Sequence, residues 1–191
     1  MERLAMSIET IDVSLFNWIN SVATQNPILD KAALFASHNL IAVLFIFLIS
    51  SLFFKDKKYR VQFIKMLITI VVSLLVTQFI HAVYYHPRPF DLGIGHILTG
   101  HGSSSSFPSQ HTLTVATIAF SYLLSGYRKI GSAALLLGLI VGWSRIYIGV
   151  HFPFDVLGSF VIALILVFGM NIIFKEFIFK TKKTVAISVI D

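Results

Sequence analysis

Three short motifs in this chain carry most of the side chains that could perform chemistry. Each lies where an apolar stretch meets a polar one, and together they supply two arginines, a serine, two central histidines and an aspartate. This set suits attack on a phosphate ester or anhydride whose tail lies in lipid, because arginine matches phosphate oxygens and histidine can attack or move protons. The motifs occupy residues 81–89, 108–111 and 144–155.

The third motif contains the strongest pair. Asp155 follows His151 by four residues, so on a helix that begins near Pro153 its carboxylate can reach back to the imidazole. Such a pair fixes the ring tautomer and makes the other ring nitrogen a better nucleophile. Arg145 ends the preceding apolar stretch, where a charge is costly without a partner. An ordinary structural ion pair is the alternative, which the apolar setting of these residues disfavours.

The second motif predicts the start of a helix. Ser109 is a favourable N-cap residue, and the backbone N–H groups that follow it would be available to an anion. His111 would lie in the first turn, where it could protonate a leaving oxygen. The alternative is a capped helix start with an interfacial histidine.

The first motif places Arg88 between two prolines, which disfavour helix. Arg88 could bind phosphate oxygens or extend towards lipid headgroups. His81 could bind a phosphate oxygen as a cation, or be an ordinary interfacial residue as a neutral ring. Five histidines of this region raise the question of a metal, but their spacing matches no metal-site template and no cysteine or glutamate accompanies them. These are His81, His86, His96, His101 and His111.

The composition indicates an all-α integral membrane protein. Hydrophobic residues make up 56% of the 191 residues, and apolar stretches near 20 residues are long enough to cross a bilayer. We therefore predict one membrane-embedded domain over residues 1–191. A helical apolar pattern between residues 11 and 22 predicts a helix lying on the membrane surface, with a short extra span as the alternative. The five predicted spans are 32–54, 61–84, 109–126, 130–148 and 153–177.

The basic residues predict how the bundle is oriented. Eleven of the 15 lysines and arginines fall on one side of the predicted spans, which the positive-inside rule places in the cytoplasm. The amino terminus and all three motifs then face outward. Because the positive charge clusters between apolar spans, the net charge of +6 does not indicate a nucleic-acid partner. The basic residues on the cytoplasmic side are Lys55, Lys57, Lys58, Arg60, Lys65, Arg128, Lys129, Lys175, Lys180, Lys182 and Lys183.

The connection before the second motif, residues 91–107, is rich in glycine and serine. This composition is typical of a mobile loop. The loop could cover the site or simply connect two spans.

Together, the motifs resemble the type 2 phosphatidic acid phosphatase (PAP2) superfamily of integral membrane phosphatases. Its pattern is Lys-x6-Arg-Pro, then Pro-Ser-Gly-His, then Ser-Arg-x5-His-x3-Asp. His81 stands where the family has lysine, so one phosphate-binding cation becomes dependent on pH. Gln110 stands where the family has glycine and adds a side chain beside the phosphate cradle. The Tyr-Tyr-His-Pro-Arg-Pro-Phe and Ser-Phe-Pro-Ser-x-His stretches are most similar to the bacterial undecaprenyl-diphosphatase branch.

The resemblance implies a PAP2/haloperoxidase-like helical core and hydrolysis of undecaprenyl diphosphate at the outer face of the bacterial cell membrane. That reaction recycles the carrier lipid of cell-wall synthesis and lowers sensitivity to bacitracin. The resemblance also implies that His151 is the nucleophile, oriented by Asp155, and that His111 is the general acid and base. It implies no metal and no cofactor, and it assigns phosphate binding to Arg88, Arg145, Ser109, Gln110 and His81.

Other functions stay open at this point. The motifs bind only the phosphate, so they do not separate undecaprenyl diphosphate from phosphatidylglycerol phosphate, phosphatidate or a lipid A phosphate. A phosphotransferase could use the same intermediate. An anion transporter is a different class, but the charges cluster at one face and none marks a path through the membrane.

Overall fold

The computed structural model describes residues 2–53, 57–100 and 102–188, and the side chains of residues 7–50, 52–53, 57–100 and 102–176. Lys55, His101 and the side chains of Lys180, Lys182 and Lys183 lie outside these ranges. The described part of the chain is helical and contains no strand, which confirms the all-α prediction. Six α-helices follow in order: α1 (Glu2–Asn20), α2 (Pro27–Ser50), α3 (Lys57–Val83), α4 (Gln110–Leu123), α5 (Arg128–Tyr147) and α6 (Pro153–Ser188).

Helix α4 forms the centre of the bundle and packs against α2, α3, α5 and α6. Every side chain in the range 112–119 is buried. The helix has 14 residues and therefore rises about 21 Å, less than the roughly 30 Å of a hydrocarbon core. It ends before the predicted span 109–126 does, because Gly126 turns the chain in a left-handed conformation with φ of 85°. Helices α2, α3, α5 and α6 are long and apolar enough to cross a membrane.

The outer surface of the bundle is apolar, which makes the chain a multi-pass membrane protein. Large side chains such as Phe47, Leu75 and Phe168 are more than half exposed, and such a surface is stable only against lipid. Polar groups inside the bundle have partners instead. For example, Gln62 Nε2 donates a 2.7 Å hydrogen bond to the carbonyl oxygen of Ser121, as a water-free interior requires.

Helix α1 exposes apolar side chains and turns two polar ones towards the protein. Ile11 and Trp18 are exposed, whereas Asp12 and Asn20 are buried. Asp12 Oδ1 accepts a 2.9 Å hydrogen bond from the backbone N–H of Phe154 at the start of α6. The exposed apolar side chains suit the predicted helix at the membrane surface, and Asp12 positions the start of α6, on which part of the site lies.

Candidate active site

His151 lies in the short connection between α5 and α6. Gly149 makes the turn before it with φ of 84°, and a Cβ atom there would meet the carbonyl oxygen of His96. Only glycine fits this left-handed, tightly packed position. His151 itself is 2% exposed, and α6 begins at Pro153 as the sequence predicts. The backbone therefore fixes the imidazole at the junction of two membrane helices.

Asp155 and Ser106 hold one side of this imidazole. Asp155 Oδ2 lies 3.6 Å from His151 Nδ1, which is an ion-pair distance but longer than a good hydrogen bond. Ser106 fills the gap: its hydroxyl donates to Asp155 Oδ2, and its Oγ lies 3.2 Å from His151 Nδ1. The backbone N–H of Phe152 donates a 2.8 Å hydrogen bond to the same carboxylate oxygen. The predicted pair is present, with a serine that bridges its two members.

These contacts define the tautomer of His151. The hydroxyl hydrogen of Ser106 is already donated to the carboxylate, so Nδ1 must carry a hydrogen and donate it to Ser106 Oγ. On the other side of the ring, Arg88 Nη1 lies 3.3 Å from Nε2. Because a guanidinium can only donate, Nε2 carries the lone pair. The ring therefore presents a nucleophilic nitrogen to the arginine side.

Burial also keeps this ring neutral. Desolvation lowers the pKa of His151 to about 3, against the opposing influence of Asp155. At neutral pH the lone pair on Nε2 is therefore available for attack.

Arg88 binds the serine-rich segment to this centre. Its Nε donates to the carbonyl oxygen of Ser104 at 3.0 Å, its Nη2 to the carbonyl oxygen of Ser105 at 3.2 Å, and its Nη1 to the carbonyl oxygen of Val150 at 2.9 Å. Burial lowers the pKa of Arg88, but a guanidinium remains protonated in proteins. Ser105 and Ser106 are buried, so the carboxyl end of the predicted mobile loop 91–107 is instead a packed wall of the site.

A cavity of about 220 Å³ brings six of the eight predicted site residues together. Arg145 contributes a buried guanidinium whose Nη1 donates to Ser37 Oγ at 2.7 Å. Nε2 of His81 lies 3.4 Å from the carbonyl oxygen of Pro108. The cavity is lined by Gln78, His81, Arg88, Ser104, Gln110, His111, Arg145 and His151.

The other two predicted residues, Ser109 and Asp155, lie behind the wall of this cavity. Ser109 is at the N-cap position of α4, as predicted, but its side chain makes no capping hydrogen bond. Its Oγ instead accepts a 3.1 Å hydrogen bond from Thr112 Oγ1. A phosphate in the cavity would therefore meet the first turn of α4, at Gln110 and His111, rather than the hydroxyl of Ser109.

Sequence reasoning missed four residues of the site: Ser104, Ser106, Gln78 and His86. The two serines belong to a serine run that is typical of a flexible loop, and Gln78 lies in the apolar span α3. In the sequence His86 stands out only as one of five clustered histidines, yet its Nδ1 lies 3.1 Å from Asp155 Oδ1. Within the described ranges, no group of three or more His, Cys, Asp or Glu side chains could hold a metal ion.

Apolar membrane helices that enclose two arginines and a neutral histidine beside a carboxylate suit a membrane phosphatase. The sequence profile of the PAP2 superfamily matches residues 62–179, and the chain belongs to this superfamily.

Individual relatives agree with this assignment. The undecaprenyl-diphosphatase BcrC of Bacillus subtilis is 34% identical over 83% of this chain and 81% of its own length. The Escherichia coli protein YbjG is 31% identical over 88% of this chain and 85% of its own length. The crystal structure of Aquifex aeolicus LpxE superimposes with a TM-score of 0.68 at 27% identity, over 83% of this chain and 93% of that one.

Proposed function

We propose that this phosphatase hydrolyses undecaprenyl diphosphate to undecaprenyl phosphate and inorganic phosphate. The observation that carries the proposal is a second cavity, an apolar groove of about 300 Å³ that adjoins the cationic one. Gln110 and His111 line both cavities. A lipid whose phosphate lies near His151 can therefore place its apolar tail between α2, α3 and α4. The groove is lined by Ile41, Phe45, Ile70, Leu74, Gln110, His111 and Thr114. The name of the Bacillus subtilis relative favours a polyprenyl diphosphate as the substrate.

The first chemical step transfers the terminal phosphoryl group to the protein. Nε2 of His151 attacks the terminal phosphorus, and the bond from phosphorus to the bridging oxygen breaks. His111 gives a proton to the departing lipid monophosphate. The phosphorylated ring retains its hydrogen on Nδ1 and is cationic, so the Ser106 hydroxyl and Asp155 carboxylate next to Nδ1 stabilise it.

The second step returns the enzyme to its starting state. His111, now neutral, takes a proton from a water molecule as that water attacks the phosphohistidine. The bond from phosphorus to Nε2 breaks and inorganic phosphate leaves. Arg88 and Arg145, both at the cavity, bind the equatorial oxygens in both steps, with Gln110, His81 and the amino terminus of α4. Ser109 supports that helix start from behind.

We infer the orientation of the protein from its basic residues. Lys57 and Lys58 begin α3, Arg128 and Lys129 begin α5, and Lys175 lies far along α6, so these residues are far from the helix ends that carry the site. We place these ends in the cytoplasm and the site at the outer face of the bacterial cell membrane. A substrate that is released at that face by cell-wall synthesis would then reach the site laterally through lipid.

The deciding experiment measures phosphate release by purified protein in detergent from three lipids. We expect undecaprenyl diphosphate to be hydrolysed faster than phosphatidate and phosphatidylglycerol phosphate. Faster hydrolysis of a glycerolipid would retain the chemistry and reject the proposed substrate. No release from any of the three lipids would reject the proposed function.

Chelation should leave the activity intact. The proposed mechanism takes its positive charge from Arg88 and Arg145 rather than from a divalent ion, so we expect activity in excess EDTA to stay within about twofold of the untreated enzyme. Phosphate release before and after dialysis against EDTA measures this. Loss of activity in EDTA that Mg²⁺ restores would contradict the mechanism.

His81→Ala should lower the activity, whereas His81→Lys should retain most of it. In the proposed mechanism His81 donates a hydrogen bond to a phosphate oxygen, and lysine supplies a donor at this position whereas alanine does not. Rates of phosphate release by the three proteins, measured at the same pH, test this. Equal rates for the wild-type protein and His81→Ala would remove His81 from phosphate binding.

A further inference from the structure

Asp155 is contacted by histidines on both of its oxygens. Oδ2 faces His151, Ser106 and the backbone N–H of Phe152. Oδ1 lies 3.1 Å from Nδ1 of His86. The proposed mechanism uses only Oδ2. Within the described ranges, His86 is the side chain that contacts Oδ1.

His86 reaches Asp155 from a separate, larger cavity. This cavity, of about 630 Å³, lies between α1, the start of α6 and the segments around Tyr84 and Phe107. Asp155 forms part of its wall, whereas His151 opens into the smaller cationic cavity. The carboxylate therefore separates two cavities, with one histidine on each side.

The fold holds His86 in this position. Its backbone N–H donates a 3.2 Å hydrogen bond to Ser105 Oγ, and its carbonyl oxygen accepts a 2.7 Å bond from the N–H of Ser106. Its ring stacks on Tyr84 with 6.2 Å between the centroids and lies 5.7 Å from the ring of Phe152. The side chain is only 30% exposed, so its contact with Asp155 is built into the packing.

On this geometry, and given the proposed phosphohistidine chemistry, we propose that His86 is a positioning residue for the reaction. By holding Oδ1, it keeps Oδ2 aimed at Ser106 and at Nδ1 of His151. The charge on His86 also sets how much negative charge Asp155 can offer to the phosphorylated His151.

Three acidic groups face His86: Asp155 from α6, and Asp12 and Glu9 from α1. The hydrogen bond to Asp155 is the main cause of a raised pKa for His86, with Asp12 and Glu9 adding to it against the effect of burial. Burial raises the pKa of Asp12 to about 6, so this carboxylate is charged at neutral pH. Below its own pKa His86 is a cation that competes with His151 for Asp155, and above it the ring remains a neutral donor. The rate contribution of His86 therefore increases as pH rises through its pKa.

The test compares the wild-type protein with His86→Asn and His86→Ala. Asparagine places a neutral N–H donor near the position of Nδ1, whereas alanine removes the donor. We expect His86→Ala to lower kcat at least about tenfold with little change in KM, and His86→Asn to restore most of that loss near pH 8. An exposed histidine, His96, supplies the matched control, and His96→Asn should leave kcat unchanged. An unchanged kcat in His86→Ala would overturn the positioning role.

The pH dependence gives the second readout. The ratio of wild-type kcat to His86→Asn kcat should rise with pH and then level off, because only the wild-type ring gains a charge at low pH. A ratio that is constant between pH 5 and 9 would overturn the electrostatic part of the proposal.

A spectroscopic measurement separates this inference from the lipid substrate. In ¹⁵N-histidine NMR spectra, Asp155→Asn should lower the pKa of His86, whereas His96→Asn should not. Observing this shift while no lipid is hydrolysed would reject the proposed function and leave the His86–Asp155 coupling standing. An unchanged His86 titration in Asp155→Asn would overturn the coupling even if the enzyme is active.

Discussion

His151→Ala should abolish phosphate release and leave lipid binding largely intact. The substitution removes the only proposed nucleophile, and its loss from a covalent mechanism typically costs about a thousandfold or more in kcat. Affinity should change little because Arg88, Arg145 and the amino terminus of α4 still face the phosphate. Initial rates of phosphate release and equilibrium binding of the same labelled lipid, measured on the same preparations, test both halves of the prediction.

The control for this substitution is His96→Ala, which removes an exposed imidazole from the same side of the protein. It should release phosphate at the wild-type rate. Acid-labile label from a terminally labelled substrate should accumulate transiently on wild-type protein and be absent from His151→Ala. Retention of more than about one-hundredth of the wild-type kcat would show that another group attacks phosphorus.

Much of the candidate site could be predicted from the sequence because its residues lie close together along the chain. The spacing from His151 to Asp155 fixes their geometry once Pro153 starts a helix. The helix start at Ser109 is likewise decided by a few neighbouring residues. The apolar runs that become α2, α3, α5 and α6 could be recognised by length and hydropathy alone, because the hydrocarbon core sets both.

The features that could not be predicted from the sequence depend on contacts between distant segments. Ser106 reaches Asp155 across 49 residues, and nothing in a run of four serines marks one of them as buried. The burial of Asp12 on α1 has the same explanation, because this carboxylate is favourable inside only through the backbone N–H of Phe154, 142 residues away. The predicted third span, 109–126, was too long at its carboxyl end. Its apolar run continues to Leu124, but α4 ends at Leu123 and the chain turns at Gly126.

Arg88→Lys should lower kcat/KM by about a hundredfold or more, although it preserves the charge. Arg88 uses three nitrogens to bind acceptors on Ser104, Ser105 and Val150 while Nη1 also faces Nε2 of His151. An ammonium group concentrates its donors on one nitrogen and cannot span these positions. The loss corresponds to about 2.7 kcal/mol of transition-state stabilisation.

Two comparisons would show whether this loss comes from the geometry of Arg88. Arg128→Lys makes the same chemical change at an exposed position at the start of α5 and should leave kcat/KM unaltered. Arg88→Lys should also lower the melting temperature by a few degrees, because the buried carbonyl oxygens of Ser105 and Val150 lose donors. If Arg88→Lys retained the wild-type kcat/KM, Arg88 would act only as a point charge, and the packed serine segment would contribute nothing to transition-state binding.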